Sequence, residues 1–113
     1  MRNLLIFLKH ILESVENIES FSKGLSKPKF LKDKLRQSAI IRQIEIIGEA
    51  AKNLPKEFTA KHPEIRWEEI AGSRDKLIHH YFGINYEIVW QIAREELPDL
   101  LPQIEDILTK EAG

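Results

Sequence analysis

The sequence predicts an all-α protein, folded as an antiparallel up-and-down bundle of four to five helices. Apolar residues recur at three- and four-residue steps over several long stretches, which is the spacing of amphipathic helices. The links between these stretches are short, as in bundles whose neighbouring helices run antiparallel. The sequence shows no alternating strand pattern, no glycine-rich phosphate loop and no internal repeat.

Length and composition indicate one soluble domain spanning residues 1–113. The chain is 42% hydrophobic and 31% charged, with a net charge of −1, so bulk electrostatics does not favour nucleic-acid binding. It contains no cysteine, which excludes disulfides and thiolate metal sites and suits the cytoplasm. The apolar run at residues 4–8 ends at Lys9, far too early to span a membrane.

The first predicted helix covers residues 3–21, and the last ones follow Asn85 and Pro98. Asn85 is an expected N-cap, while Pro98 is expected to start or kink the final helical segment. A short helical turn is expected between residues 56 and 66. The first helix carries a regular packing stripe formed by Leu4, Leu8, Ile11, Val15 and Ile18.

The second predicted helix covers residues 30–53 and changes character along its length. Its second half is too apolar for a single stripe, so we expect burial on two sides, with Gly48 permitting close approach of another helix. Glu49 either faces the region around Arg74 or points to solvent. The segment 23–42 is basic and is either a phosphate-binding surface or an ordinary solvated face. Its cationic residues are Lys23, Lys27, Lys29, Lys32, Lys34, Arg36 and Arg42.

The densest chemistry lies in residues 74–81, which we expect at the end of a third helix, residues 67–81. At about 100° per residue, Arg74 and Tyr81 share one face of such a helix. Asp75 and His79 form a second stripe, where the carboxylate can orient the imidazole. Arg74 and His79 are about 140° apart on a regular helix and so do not point the same way.

Arg74 and His79 can still converge in two ways. The helix can loosen near Gly83, or two copies of it can face each other across a symmetric dimer. We favour the homodimer, because the helix carries apolar residues on more than one side.

Arginine and histidine together are the minimum set of side chains for cleaving RNA without a metal. A base removes the proton of the ribose 2′-hydroxyl, the oxygen attacks the adjacent phosphorus, and a cation stabilises the developing charge. The adjacent His79 and His80 are about 100° apart on a helix, so they do not suit one metal ion and we expect none. The alternative from the pattern alone is a solvated charged helix edge with a core-facing tyrosine.

The spacing Arg74-x4-His79-x-Tyr81 resembles the motif of the HEPN superfamily, specifically its HepT-like toxins. The surrounding segments 46–55, 67–72, 81–83, 88–90 and 97–102 are similar to that family as well. The resemblance implies a homodimeric ribonuclease toxin of a type VII-like toxin–antitoxin pair, acting on tRNA or mRNA. It implies Arg74 and His79 as the catalytic pair, supported by Asp75, with no cofactor.

The resemblance also implies a partner, an MntA-like nucleotidyltransferase antitoxin that adenylylates Tyr81. Two positions depart from the family pattern, because many relatives carry asparagine at Asp75 and a residue other than histidine at His80. The alternative is therefore a HEPN helical dimer with little nuclease activity, which chiefly binds its nucleotidyltransferase partner. The near-neutral net charge and the acidic Asp75 favour this alternative.

Overall fold

The structure, a computed structural model, describes residues 2–79 and 83–112 and is predominantly helical, which confirms the all-α class. Within the described ranges the chain forms more and shorter helices than the four to five predicted. Its elements are α1 (Arg2–Ser22), α2 (Lys27–Phe30), α3 (Lys34–Lys52), α4 (Lys56–Lys61), α5 (Trp67–Ala71), α6 (Ser73–Leu77), β1 (Ile78–His79), β2 (Gly83–Ile84), α7 (Tyr86–Gln91), a π-helical segment (Ile92–Glu96) and α8 (Leu100–Ala112).

Helix α1 lies at the centre of the core and packs against α3 and α8. Its predicted stripe is confirmed, because Leu8, Ile11, Val15 and Ile18 are fully buried and Leu4 is nearly so. Each buried side chain of this size stabilises the fold by about 1.5–3 kcal/mol through removal of apolar surface from water. Burial of this stripe therefore holds α1 against α3 and α8.

The predicted second helix, residues 30–53, begins four residues later in the structure, and a separate short helix precedes it. A one-turn helix, α2, ends at Phe30, and α3 begins only at Lys34. Each has its own N-cap: the Ser26 hydroxyl accepts from the Lys29 N–H at 3.3 Å, and the Asp33 carboxylate accepts from the Arg36 N–H at 3.0 Å. Each N-cap satisfies N–H groups that are free only at the start of a helix. Two such caps in eight residues therefore mark the starts of two separate helices.

The second half of α3 is buried on two sides, as predicted, with α1 on one side and α5 and α6 on the other. Gly48 faces the C-terminal end of α5. A Cβ at this position would stand 3.4 Å from the carbonyl oxygens of both Ile70 and Ala71. The prediction that Gly48 allows another helix to come close is therefore confirmed.

The predicted continuous helix over residues 67–81 is wrong. The chain forms α5, breaks at Gly72, forms α6 and leaves the helical conformation after Leu77. Residues 78–79 and 83–84 then pair as a two-residue antiparallel ribbon, with Ile78 opposite Ile84 and His79 opposite Gly83.

The C-terminal part follows the prediction more closely. Asn85 caps α7, since its side-chain oxygen accepts from the N–H groups of Glu87 at 3.1 Å and Ile88 at 3.2 Å. The π-helical segment Ile92–Glu96 continues α7 directly, and α8 begins at Leu100, two residues after Pro98. Over the described ranges, no helix combines the length and apolar character needed to cross a membrane.

Candidate functional site

The motif segment is held at its N-terminal side by the junction between α5 and α6. Ser73 is buried, and its hydroxyl donates to the Ile70 carbonyl oxygen at 2.7 Å. The N–H of Asp75 donates to the Gly72 carbonyl oxygen at 3.0 Å, which starts a new helical turn immediately after the break. Because this junction lies against Gly48 of α3, the first residues of α6 are fixed relative to the core.

The C-terminal side of the segment is held by the ribbon. The Asn85 N–H donates to the Leu77 carbonyl oxygen at 2.7 Å, and so satisfies one of the acceptors left free where α6 ends. Leu77 itself is 1% exposed and anchors the end of α6 in the core. Gly83 has φ +81°, in the left-handed region that favours glycine, and it pairs with His79.

This local fold changes the geometry expected for the site. Arg74 lies in α6 and His79 lies on β1, so the two residues are not on one helix. The predicted Asp75–His79 stripe and the 140° separation of Arg74 and His79 both assumed a helix through Tyr81, and that assumption is wrong. Asp75 is exposed, which leaves its carboxylate accessible to solvent. Tyr81 and His80 lie outside the described residues, as do the side chains of Arg74 and His79.

The backbone sets an upper limit on the separation of Arg74 and His79. Three helical steps from Arg74 to Leu77 and two extended steps to His79 separate their Cα atoms by at most about 11 Å. The helix ends at Leu77, earlier than the loosening expected near Gly83, and the convergence of the two side chains stays a prediction. The dimeric arrangement stays a prediction.

Two acidic features bear on where a phosphate can bind. Glu49 is exposed and lies in a groove beside Phe7, His10 and Arg42, so of its two expected orientations the structure has the solvent-facing one. A second groove, of about 450 Å³ between α3 and the π-helical segment, has Ser73 in its wall. Its charged residues are Glu64, Arg66, Glu69, Glu95, Glu96 and Asp99, a set that repels phosphate.

Metal ligands do not cluster in the described part of the chain, where no group of three or more His, Asp or Glu side chains is placed to hold an ion. The motif segment itself supplies one carboxylate, Asp75, two imidazoles, a phenol, the ammonium of Lys76 and a guanidinium. Of these, only the arginine is both cationic at every working pH and suited to binding a phosphate in a bidentate manner. The chemistry of this segment is that of an acid–base pair beside an anion-binding group.

The chain is similar to known ribonucleases over nearly its whole length. The family model described as ribonuclease HepT-like matches residues 11–107. A candidate RNase of Caldanaerobacter subterraneus subsp. tengcongensis is 51% identical over 105 residues, which cover 93% of this chain and 94% of that protein. A candidate RNase of Methanocaldococcus jannaschii is 50% identical, covering 90% of this chain and 84% of that protein.

A candidate ribonuclease HepT of Thermococcus cleftensis is 46% identical over 101 residues, covering 89% of this chain and 92% of that protein. No solved structure matches the chain. The family match, on a chain that folds mainly into helices, defines a protein of the HEPN superfamily. The chain belongs to the HepT-like ribonuclease family, which confirms the resemblance inferred from the motif.

Sequence reasoning missed two residues next to the site. Ser73 ties α6 to α5, and a serine directly after a glycine was a detectable signal for a helix break. Tyr86 follows the Asn85 cap and is 38% exposed, so its ring is accessible from solvent. It was overlooked because the predicted core stripe of α7 starts at Ile88.

Proposed function

We propose that this protein is a metal-independent endoribonuclease and the toxin of a HEPN/MNT toxin–antitoxin pair. Membership of the HepT-like ribonuclease family is the observation that carries the proposal. The sequence Arg74-x4-His79-x-Tyr81 resembles the motif of that family. Arg74 and His79 lie on consecutive short elements, which the buried residues Ser73 and Leu77 anchor in the core. The site of action would be the cytoplasm, where RNA and ATP are both present.

In the proposed reaction His79 accepts the proton of a ribose 2′-hydroxyl. The 2′-oxygen forms a bond to the adjacent phosphorus, while the bond from phosphorus to the 5′-oxygen of the next nucleotide breaks. Arg74 binds the non-bridging oxygens and stabilises the charge that builds up on them. A proton returned to the leaving 5′-oxygen completes the step, so the products are a 2′,3′-cyclic phosphate and a 5′-hydroxyl.

Asp75 is proposed to support this pair, and its exposed carboxylate leaves two roles open to test. It either orients the His79 ring through a hydrogen bond or holds the 2′-hydroxyl side of the substrate. An Asp75→Asn variant retains the hydrogen-bonding geometry but removes the negative charge near the phosphate. We expect this variant to cleave RNA at least as fast as the natural chain, since the repulsion of phosphate is relieved.

Cleavage of RNA by purified variants tests the proposal. Arg74→Ala and His79→Ala are each expected to lower the rate by at least about a hundredfold, the usual contribution of a general acid or base. The matched controls are Arg42→Ala and His10→Ala, which remove exposed side chains of the same type on α3 and α1. Cleavage should continue in excess EDTA, and unchanged degradation by both motif variants would disprove the assignment.

Tyr81 is the proposed site of adenylylation by a nucleotidyltransferase. Its phenolic oxygen would attack the α-phosphorus of ATP, forming a tyrosyl–AMP ester and releasing pyrophosphate. The added anion close to Arg74 would compete with the substrate phosphate and so switch the nuclease off. Intact mass after incubation with the partner and ATP is the measurement. Tyr81→Phe should abolish the adduct, while Tyr86→Phe, the matched control, should retain it.

Homodimerisation is likewise proposed and is supported by large apolar side chains on the surface, including Ile6 at 47% exposed. One chain has a mass of 13.2 kDa, and sedimentation equilibrium should give twice that value. Monomer at all micromolar concentrations would contradict it.

The second candidate function is a binding module with little nuclease activity. The net charge of −1 and the acidic groove beside Ser73 favour it, since both oppose binding of a polyanion. Expression in cells without the partner distinguishes the two functions. A nuclease should arrest growth, and a binding module should not.

A further inference from the structure

The positive charge of this protein is concentrated in one segment that the proposed reaction does not use. Residues 23–36, called here the basic segment, contain six cationic side chains and one carboxylate. The segment therefore carries a net charge of +5 in a chain whose total is −1. Such a separation creates a strong local potential even though the protein as a whole does not attract polyanions.

The lysines of the basic segment are available for a ligand. Lys29, Lys32 and Lys34 are exposed, and none is paired with a carboxylate of the described chain. The carboxylate within the segment, that of Asp33, is engaged in capping α3. Neutralisation of these lysines is thus left to solvent ions, whose release on binding a polyanion favours association.

The basic segment is also held rigidly. The buried ring of Phe30 lies 5.2 Å from that of Trp90 in α7, and the Gln37 amide donates to the Phe30 carbonyl oxygen at 3.0 Å. The Arg36 guanidinium donates to the Phe21 carbonyl oxygen at 2.6 Å. Because these contacts fix the backbone on both sides of the lysines, little ordering is needed when a ligand binds.

The basic segment begins beside the motif segment. Lys27 Nζ lies 3.3 Å from Glu87 Oε1, and Lys27 shares a shallow groove with Asn85 and Trp90. Asn85 in turn donates its N–H to the end of α6. Tyr86, which is 38% exposed, directly precedes Glu87 in the chain and so lies near this ion pair. The ribbon, the exposed Tyr86 and the start of the basic segment are therefore neighbours, joined through Asn85 and the Lys27–Glu87 ion pair.

We propose that the basic segment and Tyr86 form a binding site for single-stranded RNA. Phosphates contact Lys29, Lys32 and Lys34, and one base stacks on the Tyr86 ring. Cations along a backbone track, combined with an exposed aromatic side chain, are the usual features of sites for single strands. This proposal rests on the proposed function, because it places the flanking nucleotides of the strand that Arg74 and His79 cleave.

A single strand fits this surface better than a duplex does. In an A-form duplex the bases are stacked on each other, so none is free to lie on Tyr86. The same lysines, with exposed Leu31 and Leu35 beside them, would also attract an anionic membrane. Two leucines bury little area in a bilayer, whereas Tyr86 next to the ribbon serves a substrate of the motif segment. We therefore propose RNA as the ligand of these lysines, and the test below includes binding to a membrane as the competing result.

The test compares two triple variants of the full chain with the same change in charge. Lys29→Gln/Lys32→Gln/Lys34→Gln alters the basic segment. The control, Lys52→Gln/Lys56→Gln/Lys61→Gln, alters exposed lysines at the opposite end of α3, about 27 Å from Lys34, and in α4. Fluorescence anisotropy with a labelled oligouridine of about 15 nucleotides measures affinity as a function of salt.

The basic-segment variant is expected to lose about two units of the slope of log K against log salt. This follows from about 0.7 unit per phosphate contact on a single strand, and it corresponds to about fiftyfold weaker binding at physiological salt. The control should keep most of its slope. Equal losses in the two variants would overturn the proposal, since the effect would then be one of net charge alone.

Three further arms sharpen the result. Tyr86→Ala is expected to weaken binding by about tenfold, as loss of one stacked base does, while Tyr86→Phe keeps the natural affinity. A duplex of equal length that binds as tightly as the single strand, or a Tyr86→Ala variant with full affinity, overturns the stacking assignment. The third arm measures binding of the basic-segment variant to phosphatidylglycerol vesicles. If this variant loses vesicle binding but keeps its RNA affinity, the lysines bind a membrane and the proposal is overturned.

Cleavage assays separate this proposal from the proposed function. A ribodinucleotide is too short to reach the lysines, so the basic-segment variant should cleave it normally but show a raised KM for long RNA. If the natural chain cleaves neither substrate, the proposed function fails while the anisotropy result still stands. If the variant cleaves long RNA with unchanged KM, the basic segment does not bind the substrate, whatever the nuclease does.

Discussion

Helix α1 and the segment from residue 67 to residue 85 show opposite relations between sequence and structure. Helix α1 is one uninterrupted element of 21 residues, and its apolar stripe is buried as the periodicity predicts. The later segment has apolar residues at similar spacing but is divided into two five-residue helices and a two-residue ribbon. Both are anchored in the same core, so burial alone does not explain the difference.

The difference lies in how each region satisfies its backbone groups. In α1 the polar groups bond within one long helix, and periodic packing decides the rest. In the later segment, specific local bonds end each element: Ser73 bonds to Ile70, and Asn85 bonds to Leu77. Short elements expose backbone and side chains at their ends, which is where binding and catalytic groups are commonly carried. The irregular region is accordingly the one that bears the motif.

The largest expected effect concerns the regular region. Leu8→Ala removes a fully buried side chain of α1 and should lower the free energy of unfolding by about 3 kcal/mol, the typical cost of a core leucine truncation. Leu35→Ala, the matched control, removes a leucine that is 78% exposed and should change stability by less than about 0.5 kcal/mol. Urea denaturation measures both. The cleavage rate per folded molecule should be unchanged by Leu8→Ala, and a specific loss would show that the core also shapes the site.

A smaller loss of stability, with a larger loss of activity, is expected where the two regions meet. Gly48→Leu places a side chain against the backbone of Ile70 and Ala71, and overpacking of this kind costs about 1–3 kcal/mol. Since the chain yields at the α5–α6 junction, Arg74 should shift and cleavage should fall well beyond the fraction unfolded. Gly48→Ala is the control, because its Cβ meets the nearest atoms at ordinary contact distance. Equal activities of the two variants at equal folded fraction would contradict the coupling.

The same contrast explains what the sequence could predict. The stripe of α1, the two-sided burial of α3, the role of Gly48 and the Asn85 cap followed from periodicity and capping rules. The start of α3 after Asp33 and the break at Gly72 did not follow from these rules. At both places a polar residue, Asp33 or Ser73, bonds to nearby backbone. Apolar spacing hid them, because Ile70, Leu77 and Ile78 continue a helical pattern across the break. The ribbon could not be predicted, since strands of two residues have no period.

The smallest expected effects are those of alanine substitutions at two glycines, which are expected to lower stability alike but to differ in their effect on RNA cleavage. Gly24 and Gly83 have φ of +74° and +81°, and a Cβ on either would meet no atom within 4 Å. Substitution by alanine should therefore cost each about 1 kcal/mol, the penalty of the left-handed conformation alone. Gly83→Ala should also lower the rate of RNA cleavage, because Gly83 pairs with His79 and strain there is relieved by shifting β1. Gly24 lies in the link between α1 and α2, so Gly24→Ala should leave cleavage of the dinucleotide unchanged.

Thermal unfolding and dinucleotide cleavage, measured on both variants, make the comparison direct. If both lose stability equally and both keep full activity, then the ribbon does not position His79, and the motif acts independently of the strand that carries it.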